Sequence, residues 1–253
     1  MIYALIPLPL RHILKSMQKV VFQDLGRIRY QEAWDLQEAR LQEVVGRKLH
    51  NRSQRKADKP EIPQSHYLLF CEHPAVFTLG KSGSQDNLLI NEPMLAQHGI
   101  EFYKINRGGD ITFHGPGQIV GYPILDLEQL NLGIRSYIEL LEESVIRLLK
   151  DYGITASRLP GATGVWLDPD KPSAARKICA IGVKAGRHIT MHGFAFNVNT
   201  DLSYYQYINP CGFVDKGITS MEKELGEKQD FGEVKHLLKS HLAEALKVHY
   251  RKT

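Results

Sequence analysis

Apolar residues in this chain come in short runs broken by glycine, proline and charge, and the runs fall into two periods. Val20-Val21-Phe22 reads as an opening strand with Gly26 as its turn, and residues 66–71 and 76–79 read as two short strands around His73-Pro74. Residues 101–106, 118–125 (interrupted by Gly121 and Pro123), 161–167, 178–183 and 189–198 read the same way. Helical spacing governs three longer stretches. Ala33, Trp34, Leu41, Val44, Val45 and Leu49 mark a helix over 30–49, and Ile134, Tyr137, Ile138, Leu141, Val145, Leu148 and Leu149 mark one over 133–150. A closing amphipathic helix spans 231–249. Strands in groups with only three long helices predict an α+β fold with a mixed or antiparallel sheet, not a doubly wound one.

Residues 50–64, HNRSQRKADKPEIPQ, lack periodicity and are charged, so they read as a basic loop insert inside one catalytic domain of residues 17–253. Residues 1–16 are an extension of uncertain status. Their order, apolar first and then basic, is the reverse of a secretory signal, and Met17 offers an alternative start.

Composition changes this picture little. With 253 residues, 43% hydrophobic, 24% charged and a net charge of +4, the chain is that of an ordinary globular protein. The charge is too small to signal nucleic-acid binding but is compatible with acidic protein partners. No apolar run reaches membrane-spanning length. Three cysteines without CxxC spacing, and eleven histidines without an HExxH pattern, predict neither a disulfide framework nor a metal site. A reducing, cytoplasmic setting and a monomer fit best.

Candidate chemistry concentrates in two places. Cys211 lies between Pro210 and Gly212 in a predicted turn, whereas Cys71 and Cys179 sit in apolar runs and read as small buried hydrophobes. Lys177 opens the strand-like run containing Cys179; taken alone it reads as a solvated lysine following Arg176. An ammonium beside a thiol would stabilise the thiolate and make a nucleophile without a histidine. The second place is Arg107-Gly108-Gly109-Asp110-Ile111-Thr112-Phe113-His114-Gly115-Pro116-Gly117-Gln118. Its glycines permit close approach of a ligand to the backbone, or simply make a turn. The stretch has neither a GxxxxGK[ST] nor a GxGxxG pattern, so it gives a nucleotide reading no support. Arg107 can pair with a carboxylate such as Asp110. His114 can serve as a general base or shape a pocket. Thr219-Ser220 can cap a short helix, with Glu222 or Glu224 in its first turn.

The 107–118 stretch resembles the RGG-x-x-T-[FY]-HGPGQ signature of the lipoyl(octanoyl) transferases. Glu72-His73-Pro74-Ala75-Val76-Phe77-Thr78-Leu79-Gly80 and the Lys177…Cys211 pair resemble the same family, in order from about residue 18 to 225. The resemblance implies the biotin/lipoate transferase-ligase fold and a Cys211–Lys177 dyad. It also implies an acyl pocket from Arg107 to His114, Ala180-Ile181-Gly182 and Gly193-Phe194-Ala195; separately, Asn197, Asn199 and Thr163 can supply hydrogen bonds near the dyad. The small residues at 180, 182, 193 and 195 suit a narrow tunnel and suit tight strand packing equally. The implied reaction moves octanoyl from acyl carrier protein to a lysine of a lipoyl domain, in 2-oxoacid dehydrogenase E2 subunits or glycine cleavage H protein, with no cofactor. The rival readings are an ATP-dependent lipoate- or biotin-protein ligase and a non-catalytic acyl-carrier-binding protein.

Overall fold

The structure, a computed structural model, describes residues 18–209 and 216–251. In chain order the strands are β1 (Gln18–Arg27), β2 (Tyr67–Glu72), β3 (Val76–Leu79), β4 (Glu101–Lys104), β5 (Ile111–His114), β6 (Gln118–Ile124), β7 (Ser157–Leu159), β8 (Ala162–Leu167), β9 (Arg176–Gly186), β10 (Ile189–Asn197), β11 (Gly217–Ile218) and β12 (Val248–Arg251). The helices are α1 (Tyr30–Lys56), α2 (Glu92–Gln97), α3 (Ile134–Asp151), α4 (Met221–Leu225) and α5 (Phe231–Leu246).

A mixed sheet runs β12-β1-β2-β6-β10-β9-β8-β7, with β11 parallel to the start of β9, and β4-β3-β5 form a second, small sheet. The α+β expectation holds. Alternation along the central strands explains the layers. Leu68 and Phe70 of β2 and Ile119 of β6 face a core shared with Tyr137, Leu141 and Val145 of α3 and Val234 and Leu238 of α5. Tyr67, Leu69 and Cys71 of β2, and Val120, Tyr122 and Ile124 of β6, face Ala33 and Val44 of α1. Burial on both faces is why these strands read as continuous apolar runs. The small sheet has its own core, in which Phe77 and Phe113 meet the aromatic stretch at Tyr204-Tyr205.

Two boundaries are corrected. The segment expected to be a loop over 50–64 begins as helix, because α1 continues to Lys56. Asn51, buried on α1, donates to the Ile62 carbonyl (2.7 Å) and accepts from the Ile62 amide (2.9 Å), and Arg55 grips Glu61. The returning chain thus satisfies the extra turns. The closing helix stops at Leu246, where Lys247 adopts φ 53°, and the chain turns into β12 beside β1. The 107–118 stretch, read as a glycine loop, contains β5. Arg187 and His188, with φ 52° and 64°, make the tight turn of the β9–β10 hairpin.

Candidate functional site

A cavity of about 530 Å³ lies between the small sheet and the main one, within the usual range for small-molecule sites. Its walls include Arg107, Gly108, Gly109, Asp110, Ile111, Thr112 and His114 from the first stretch, Ala180, Ile181 and Gly182 from β9, and Gly193, Phe194 and Ala195 from β10. Lys177, Thr163 and Asn197 line it too. Three stretches spread over some ninety residues of sequence therefore converge on one cavity. Phe113 is the correction. Alternation along β5 turns its ring away, where it packs on Phe77 and stacks on Tyr204 at 4.6 Å. Cys211 lies outside the described residues.

The Arg107 loop is seated by specific contacts. Gly108 donates to the Val183 carbonyl of β9 (2.9 Å), and Lys81 donates to the Arg107 carbonyl (3.0 Å). A Cβ on Gly182 would lie 2.8 Å from the Gly108 oxygen, so this glycine lets the loop rest directly on β9. At Gly193 a Cβ would lie 2.0 Å from the Gly121 oxygen, so tight strand packing accounts for that residue. The Arg107 guanidinium donates to the carbonyl (2.6 Å) and hydroxyl (3.0 Å) of Thr78 and to the Gly108 carbonyl (2.9 Å). Asp110, its suggested partner, instead accepts from Asn87 (2.6 Å) and from the Ile111 amide (2.7 Å).

Lys177 is only 8% exposed, with its ammonium 4.6 Å from the centre of the Trp166 ring, a cation–π placement. Trp166 is opposite Lys177 across β8 and β9, while Ile218 of β11 flanks Lys177 on the side that β10 vacates. Gly164 makes the β8 irregularity possible: its φ is 121°, and a Cβ there would lie 2.5 Å from the Cys179 oxygen. Arg176, the residue before Lys177, holds both oxygens of Glu224 (2.6 Å each), and Thr219 donates to the same carboxylate (2.5 Å). Ser220 caps α4, accepting from the Lys223 amide.

His114 is buried against the cavity, with Nδ1 on Gln118 Oε1 (2.9 Å) and Nε2 on Thr78 Oγ1 (3.2 Å). Burial, then the neighbouring His73, pulls its pKa down to about 3, so it stays neutral and both nitrogens are engaged. That favours the pocket-shaping role over the general base. Cys71 and Cys179 are buried, and burial pushes both thiols up, away from the thiolate.

Sequence reasoning missed Tyr30, Tyr122, His192 and Tyr205, which also line the cavity. His192 sits in an apolar strand with φ 59°, its Nε2 on Asn106 Oδ1 (3.0 Å), and burial pulls its pKa down to about 3. Nothing in the apolar run around it signals this. Tyr122 donates to His73 Nε2 (2.7 Å), whose Nδ1 faces the Ile28 carbonyl (2.8 Å). The signal available there was His73 itself, in the Glu72–Gly80 stretch.

Among the described residues, no group of three or more His, Cys, Asp and Glu is placed to hold a metal, and no helix is long and apolar enough to cross a membrane.

The family described as lipoyl protein ligase A/B catalytic domain matches residues 29–243. The chain is 53% identical over 224 residues to an octanoyltransferase of Parabacteroides distasonis, covering 88% of this chain and 97% of that one. It is 54% identical over 226 residues to an octanoyltransferase of Flavobacterium johnsoniae, covering 89% and 95%. Among solved structures, a bipartite lipoate protein ligase of Thermoplasma acidophilum superposes with TM-score 0.62 at 16% identity, covering 94% of this chain and 86% of the other. That likeness establishes the shared fold.

Proposed function

Because the chain belongs to the lipoyl protein ligase A/B catalytic-domain family, we propose that it is an octanoyltransferase that carries octanoyl from acyl carrier protein to a lysine of lipoyl domains by way of Cys211. The observation that carries the mechanism is Lys177: a buried lysine at the wall of a largely apolar cavity, flanked by the strand that begins a few residues after Cys211. A charged lysine is seldom buried without a task or a partner.

The Cys211 thiolate attacks the thioester carbonyl of the octanoyl carrier. The C–S bond to the carrier's phosphopantetheine breaks, and that sulfur takes a proton from Lys177. The neutral Lys177 amine then accepts a proton from the incoming lysine of the lipoyl domain as that lysine's nitrogen attacks the acyl-enzyme. Collapse forms the amide, returns Cys211 as thiolate, and leaves Lys177 an ammonium again. The acyl donor arrives activated, so the scheme uses no nucleotide, metal or cofactor. Acceptors are the lipoyl domains of 2-oxoacid dehydrogenase E2 subunits and glycine cleavage H protein, and the enzyme acts as a monomer in the cytoplasm.

The solved structures that share the fold include ligases, one of them bound with ATP, so the rival is an adenylate route. Intact mass after mixing with octanoyl-acyl carrier protein separates the two. We expect one octanoyl adduct, absent in Cys211→Ser at neutral pH and released by hydroxylamine. Transfer without an adduct, or turnover of free octanoate only with ATP, overturns the scheme.

A further inference from the structure

We propose that Thr78, His114, Gln118 and Asn197 form one polar relay that fixes β11 against β9 and so positions Lys177, which makes Thr78 and Asn197 positioning residues for the transfer; this rests on the function proposed above.

The relay has a single possible direction. Arginine can only donate, and Arg107 Nη2 donates to Thr78 Oγ1 (3.0 Å). The other end is set by the Phe113 carbonyl, which can only accept and so turns the Gln118 nitrogen toward itself; Gln118 Oε1 then accepts from His114 Nδ1–H (2.9 Å), and Nε2 of the neutral ring accepts the threonine hydrogen (3.2 Å). The Gln118 nitrogen donates to the Phe113 carbonyl (3.1 Å) and to Asn197 Oδ1 (2.9 Å). Asn197 Nδ2 donates to the Thr219 carbonyl (3.0 Å), and the Thr219 amide donates to the Lys177 carbonyl (3.0 Å). Every side chain from Arg107 to Asn197 is at most 7% exposed. Loss of one partner therefore strands the next group without water to replace it.

β11 needs such a tether. It has two residues and two paired positions, far below the usual length of a strand. Arg176 and Glu224 hold the Thr219 hydroxyl from one side, and the relay holds its carbonyl from the other. Thr78 is buried in the small sheet and is not part of the cavity wall, so it acts on the site only through the side chains it bonds, Arg107 and His114.

The test is steady-state and single-turnover transfer from octanoyl-acyl carrier protein by Thr78→Val, Thr78→Ser, Asn197→Asp and the Thr78→Val/Asn197→Asp double variant. Valine removes the hydroxyl at nearly constant shape, and serine restores it. Aspartate keeps the acceptor for Gln118 but loses the donor to Thr219. We expect kcat to fall roughly tenfold or more in Thr78→Val with KM for the carrier within about twofold, as a stranded buried group implies. Thr78→Ser should recover most of that loss. The double variant should be no slower than its slower parent, because one broken link disables the relay. Losses that multiply, a raised KM at unchanged kcat, or a serine variant as slow as valine overturn the proposal. Should Asn197→Asp fail to fold, the two Thr78 variants decide it alone. Failure of the wild type itself to transfer octanoyl defeats the functional reading instead.

Discussion

Strand β9 carries two lysines in opposite circumstances. Lys177, at its start, is buried beside Trp166 and lines the cavity. Lys184, seven residues on, is half-exposed near the hairpin turn, opposite Met191. The strand is the same and the residue type is the same; only what packs around each ammonium differs. A lysine acquires chemistry from being enclosed next to an opening, and enclosure is a property of the neighbouring strands β8 and β11.

The contrast can be broken most directly at Lys177. Lys177→Met keeps the length and packing of the side chain and should lower kcat by about 10²–10⁴-fold, the usual range for losing a positioned proton donor and acceptor. Single-turnover acylation checks this, and an unaffected rate would make Lys177 no different from Lys184. Next in size is Gly182→Ala, on the same strand between the two lysines. The methyl would be forced to 2.8 Å from the Gly108 oxygen and 3.0 Å from Arg107 Cδ. Overpacking of this kind costs about 1–3 kcal/mol, read as a lower Tm and a higher KM for the octanoyl carrier.

Acid sharpens the comparison differently. Burial pulls His66 and His73 down to about 4, and His114 and His192 to about 3, so all four are neutral in the folded protein at neutral pH. The unfolded chain takes up these protons at the ordinary value of about 6.5, which makes unfolding easier as pH falls. Stability is thus complete above about pH 6.5 and erodes from there toward pH 3–4, which thermal melts across that window will show. The activity profile near neutrality should carry no inflection from His114. Smallest of all, Lys184→Met should change kcat/KM by less than about twofold, as expected for a half-exposed residue away from the cavity wall.

Much of this was legible in the sequence, for definable reasons. Strand runs and amphipathic helices survive because burial on one or both faces writes itself into apolar spacing. The 107–114, 180–182 and 193–195 stretches were legible through their likeness to a known signature, with Phe113 misjudged because alternation along a strand hidden inside a glycine-rich segment was not seen. What stayed illegible depended on other parts of the chain. α1 extends past His50 only because Ile62 comes back to Asn51. His192 and Tyr122 join the cavity only because β10 and β6 pair and α1 covers them. β12 could not be foreseen without β1 as its partner, since Val248 to Arg251 continue the helical pattern of α5 closely enough to be absorbed into it.

That last pairing also bears on how the molecule is assembled. β1 is the first described strand and β12 the last, and they lie side by side in parallel, with Gln18 opposite Val248. On a ribosome β1 emerges well before β12 and keeps one flank open until β12 follows it. A contact spanning so much sequence is slow to form, so the completed sheet edge is a late event of biosynthesis, and a chain halted before Val248 would present β1 as an unpaired template for a neighbour.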